Sequence, residues 1–153
     1  MIQRIQTIYL LASLLLIALS GIFPFASINV QEQIIDFKLF QFLTETEGDI
    51  ALNQPVWGGL FFWLQNIIFA LFIIFAYNNR PKQAKLCKIL CLTELIYLIT
   101  MGTYAIVLSS KINGNIAPTL ATCLPLLAIV FAIFAKRAII RDERLVRSSE
   151  RLR

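Results

Sequence analysis

The chain has 153 residues, 58% hydrophobic and 15% charged, with a formal net charge of +5 and a mean hydropathy of +0.74. That is too apolar for an ordinary water-soluble domain and points to a bilayer as the solvent. There is no His, no Gly-rich phosphate loop and no Cys-x-x-Cys pair, which argues against His-based catalysis, His-ligated metals and thiol oxidoreductases.

Four stretches are long and uncharged enough to cross a membrane, which takes about 20 residues each. The first, 5–25, follows Arg4, and the next charge after it is Glu32. Ala18-Leu19-Ser20 could serve as a signal-peptide cleavage site, but no lipoprotein Cys follows Gly21, and an uncleaved first helix is expected. Within segment 26–55, Ile35, Phe37 and Leu39 alternate with Asp36 and Lys38, the period of a half-buried strand, so this connection has the pattern of a short β-hairpin. Thr44 to Asp49 reads as an acidic loop, and Pro55 and Trp57 mark entry into the second span, 56–77.

Asn78 to Lys85 reads as a tight basic turn leading to the third span, 86–108, with Lys88 at its edge and Glu94 inside it. Ser109 to Asn115 is a further turn, Pro118 suits the first turn of a helix, and the fourth span is expected over 116–135, with a kink at Pro125. Hydrocarbon demands that the backbone satisfy its own hydrogen bonds, and no barrel-strand alternation runs through the spans, so the expected fold is all-α: a four-helix transmembrane bundle. The domain division is a membrane unit, 1–135, followed by a basic amphipathic tail, 136–153.

Basic residues are retained on the cytoplasmic side of short loops. Arg4, the second connection and the tail hold twelve of them, and only Lys38 and Lys111 fall on the opposite side. Both termini are therefore expected in the cytoplasm. Cys87, Cys91 and Cys123 read as small packing residues.

Glu94 is the residue whose position demands explanation, because a charged carboxylate within a span costs a few kcal/mol even on insertion scales. Counting helix rise from the ends of the spans puts Ser13, Phe69 and Ala128 at about its depth and Asn66 about one turn away. A hydrogen bond from Ser13 or Asn66 would hold Glu94 inside the bundle. Such a carboxyl is either interhelical glue or a proton or cation site.

Along the tail, helical spacing gathers Arg137, Arg141, Arg144 and Arg151 on one side, with Arg147 at its edge. Ala138, Ile139, Leu145, Val146 and Leu152 fall opposite, interrupted by Asp142, and Glu143 can pair with Arg147 at i, i+4. This basic helix suits anionic headgroups or a protein partner. Nucleic acid is disfavoured, since the tail has no aromatic residue for stacking. Partners expected from the sequence are membrane lipid, a membrane or cytoplasmic protein, or a second copy of the chain; no cofactor or metal is called for.

The opening Met1-Ile2-Gln3-Arg4-Ile5-Gln6-Thr7 and the closing Arg141-Asp142-Glu143-Arg144-Leu145-Val146-Arg147-Ser148 with Arg151-Leu152-Arg153 resemble the bacterial membrane protein family catalogued as domain of unknown function 4293. The resemblance covers the full length in size and span pattern, with its specific motifs at the two ends. It implies a bacterial inner membrane and transfers no catalytic or binding residue. The expected function is a non-enzymatic accessory or scaffold protein, and the alternative is a small proton- or cation-coupled transporter using Glu94.

Overall fold

The structure is a computed structural model that describes residues 3–30, 33–40, 56–77 and 79–150. The acidic loop expected at Thr44 to Asp49, and Pro55, Arg151 and Leu152, lie outside the described residues. The order of elements is α1 (Gln3–Ile22), β1 (Ala26–Val30), β2 (Gln33–Phe37), α2 (Trp57–Phe75), α3 (Arg80–Ile112), β3 (Asn115–Pro118), a 3-10 turn at Leu120–Thr122 and α4 (Cys123–Glu150). All four helices are long and apolar enough to cross a membrane.

The helices form a ring in chain order. α1 packs on α2 and α4, and α3 packs on α2 and α4, so α1 faces α3 across the centre. On α4, Ala128, Ala132, Ala135 and Ile139 are fully buried at spacings of four, three and four, one continuous stripe. Three alanines in that stripe let its neighbours' backbones approach closely, the packing device of helices that gain nothing from leaving water.

The ends of the spans differ from the sequence expectation in three ways. First, α3 begins at Arg80, so the expected turn over 78–85 is mostly helix. Pro81 occupies its first turn, where the missing N–H has no intrahelical partner to lose, and Lys82, Lys85 and Lys88 ride on the helix. Second, residues 116–118 belong to a strand and α4 starts only at Cys123, so Pro118 does not open a helix. Third, Pro125 falls in the first turn of α4, the position where proline requires no kink.

The expected hairpin is present, but it is part of a three-stranded antiparallel sheet in the order β2-β1-β3. Ser27 pairs with Asp36 and Ala117, and Ile28 with Ile35 and Ile116. Ala26 and Ile28 turn inward and are buried, while Phe37 and Leu39 continue the buried side of the β2 segment. Thr119 and Thr122 donate to the carbonyl of Phe25, tying the entry of α4 to the exit of α1.

α3 ends where Asn113 takes a left-handed conformation (φ 50°) and the Gly114 N–H returns to the Ser109 carbonyl at 3.1 Å. Gly114 is required for another reason as well: a Cβ there would lie 2.5 Å from Ile28 Cγ2 and 2.8 Å from Val30 Cγ2. Gly114→Val should push β3 off β1 and lower stability by about 1–3 kcal/mol, the usual range for overpacking. Thermal melting of the purified protein in detergent checks this, and an unchanged midpoint would contradict the packing.

Candidate functional site

Two apolar clusters fill the bundle. Leu10, Ala70, Cys87, Leu90, Ala132 and Ile139 belong to the one toward the N-terminus of α1, while Phe25, Phe37, Val56, Tyr97, Met101 and Ala105 belong to the one beneath the sheet. Between them lies a polar layer. Ser13, Asn66 and Glu94 sit close to the midpoints of α1, α2 and α3, and each is fully buried.

Ser13 Oγ donates to Glu94 Oε1 at 3.0 Å, a bond across the centre of the ring. Asn66 does not bond to Glu94. It is engaged by the adjacent Thr93, whose Oγ1 donates to Asn66 Oδ1 at 2.6 Å while Asn66 Nδ2 donates to the Thr93 carbonyl at 3.3 Å. Of the two expected donors, then, only Ser13 reaches the carboxyl. Glu94 Oε2 is buried and has no hydrogen-bond partner among the described residues.

The polar layer is one rung of a series on α1. Gln6, Ser13 and Ser20 recur every seven residues on the face that also buries Leu10 and Ile17. Gln6 Nε2 donates to the Ala138 carbonyl at 3.4 Å, and Ser20 Oγ lies 3.4 Å from the Tyr97 hydroxyl. Trp63 Nε1 donates to the Ile17 carbonyl at 2.8 Å, and the indole covers Gly21, where a Cβ would approach Nε1 to 2.5 Å. The spacing of Gln6, Ser13 and Ser20 was available in the sequence as a seven-residue repeat on one helix face.

α4 continues without a break from the apolar stretch through Lys136 to Glu150, so the tail is an extension of the fourth helix. Its buried stripe runs on past Ile139 to Asp142, whose Oδ2 lies 3.3 Å from Arg80 Nη1 at the start of α3. The contact is an ion pair by distance, but the groups are not aligned as a hydrogen bond. Asp142 thus interrupts the apolar side of the tail because it meets a cation there. Arg137, Arg141 and Arg144 are exposed, as are Leu145 and Val146, while Ile139 is buried. The Arg147 side chain, and with it the pair expected with Glu143, lies outside the described residues, as does Arg151.

Cys87 is buried, Cys91 half-buried and Cys123 exposed, and all three are free thiols. Among the described residues no cluster of His, Cys, Asp and Glu could hold a metal ion. Residues 2–152 match the family described as Domain of unknown function (DUF4293), and the chain belongs to that family. No curated protein and no solved structure matches it.

Proposed function

We propose that this DUF4293 protein is a non-enzymatic membrane protein of the bacterial inner membrane that acts by binding protein or lipid, with the end formed by the start of α3 and the end of α4 in the cytoplasm. The observation that carries the reading is the enclosure of Glu94: its carboxyl accepts from Ser13 in the middle of the bundle and is 0% exposed. A buried group so held fastens helices to one another. The chemistry open to an outside partner lies instead at the basic end, where the exposed Lys82, Lys85 and Lys88 on α3 join Arg137, Arg141 and Arg144 on α4. Such clusters favour the cytoplasmic side and anionic partners there.

Orientation is checked by single cysteines, with the three natural ones replaced by alanine. A membrane-impermeant maleimide should label Asn115→Cys in intact cells and Arg144→Cys only after lysis; the reverse pattern overturns the orientation. Crosslinking and co-purification from native membranes test binding itself. The reading falls if nothing associates specifically and Arg-to-Ala changes at Arg137, Arg141 and Arg144 leave localisation and phenotype untouched.

One observation favours proton- or cation-coupled transport as the second reading: among the described residues nothing hydrogen-bonds to the buried Glu94 Oε2, which leaves a ligand position on a carboxyl in the middle of the bundle.

A further inference from the structure

Ile5 and Tyr9 of α1 face Phe134, Arg137, Arg141 and Leu145 of α4 across an open groove of about 570 Å³. On α4 these positions follow one another at three- and four-residue steps and so share one face. Two of the lining residues are aromatic: the Tyr9 ring lies 5.9 Å from that of Phe134, and 6.3 Å from that of the neighbouring Phe131. The walls are joined by the bond from Gln6 to the Ala138 carbonyl, so the groove is part of the packed bundle.

Its two cations have no ion-pair partner among the described residues. Arg137 and Arg141 are exposed one helical turn apart, and the neighbouring Asp142 is engaged by Arg80. Both arginines stand just past the uncharged interval that ends at Ala135, at the level where a spanning helix reaches headgroups. Ile5, Phe134 and Leu145 leave 49%, 41% and 50% of their surface open, so the apolar wall faces sideways, out of the bundle.

We infer that this groove binds an anionic phospholipid, its phosphate between Arg137 and Arg141 and one acyl chain along Tyr9 and Phe134. Guanidinium groups offer paired donors matched to phosphate oxygens, and a chain laid on the aromatic wall covers apolar surface that no other part of the described protein covers. A groove that opens laterally between two membrane-crossing helices meets lipid before any other ligand. The inference rests on the reading that α1 and α4 cross a bilayer with their basic ends at a headgroup layer.

The test uses the full-length protein in detergent, titrated with phosphatidylglycerol, with phosphatidylcholine of the same chains and with inorganic phosphate, bound lipid being counted by native mass spectrometry. Phosphatidylglycerol should bind at least about tenfold more tightly than either comparison ligand, and Arg137→Gln with Arg141→Gln should weaken it about thirtyfold. Lys111→Gln, an exposed cation at the sheet end of α3, should leave binding unchanged. Independently of any variant, phosphatidylglycerol with a photoreactive acyl chain in native vesicles should crosslink to peptides containing Tyr9 or Phe134. Equal binding of the two lipids, a Lys111→Gln loss as large as that of the pair, free phosphate binding as tightly as lipid, or crosslinks confined to the sheet end would each overturn the proposal. Those results would leave the binding-protein reading standing, whereas reversed maleimide labelling would overturn the orientation without altering the lipid titration.

Discussion

Glu94→Lys is expected to abolish accumulation of folded protein, while Glu94→Gln leaves it intact. The wild-type carboxyl accepts one hydrogen bond from Ser13 at the centre of the ring. Gln keeps the size and the acceptor oxygen, and an interhelical bond in a membrane contributes on average about 0.6 kcal/mol, so its melting point should stay close to wild type. Ala removes the acceptor, strands the Ser13 hydroxyl between two apolar clusters and leaves a cavity; a loss of about 2–3 kcal/mol follows from the size of such large-to-small changes. Lys places an ammonium where the nearest acids in the sequence are Asp49 and Asp142. Its insertion penalty is about 3 kcal/mol on the translocon scale and larger in a sealed bundle. Size-exclusion profiles and melting curves give the order. The same variants separate the two functional readings: proteoliposomes with wild type and Glu94→Gln should show equal proton flux, and a flux abolished by Gln would establish the transporter.

Arg80 and Asp142 should respond unequally to truncation. Their side chains are 26% and 8% exposed. Arg80→Ala strands a nearly buried carboxylate, and removing one partner from such a pair is the costly direction, about 2–3 kcal/mol here once partial access to water is allowed for. Asp142→Ala leaves a longer cation that can turn its head into water, at about 1 kcal/mol. The double change Arg80→Met with Asp142→Leu should recover most of the loss, as apolar replacements of buried pairs do. Denaturation midpoints of the four proteins check the asymmetry, and an Asp142→Ala loss equal to that of Arg80→Ala would refute it.

The spans were legible because charge is nearly absent from them, Glu94 being the exception within the third, a signal that survives any arrangement of the helices. The start of α4 was not. Ile116, Ala117 and Pro118 are as apolar as a span, and only pairing with residues about 90 positions earlier makes them a strand. The proline rule was sound but applied to Pro118, whereas Pro81 is the proline that opens a long helix. Depth counting found Ser13 as the companion of Glu94, because rise per residue is fixed. It could not exclude Asn66, because helix rotation in a nearly uniform apolar sequence leaves no mark on a depth count. Asp142 was visible as an interruption, and its partner became visible only through the antiparallel register of α3 and α4.

The sheet has a mechanical consequence for the bundle. β1 continues from α1, β3 joins α3 to α4, and the two strands are hydrogen-bonded to each other, so three helices are clasped at one end by backbone bonds. At the other end the helices are cross-linked through side chains, among them the Arg80–Asp142 ion pair and the amide bonds of Gln6 and Gln83. Breathing of the bundle therefore starts at the basic end and dies out toward the sheet, like the arms of tongs hinged at the strands. Amide protons of β1 should exchange with solvent deuterium more slowly than those of the first turn of α3.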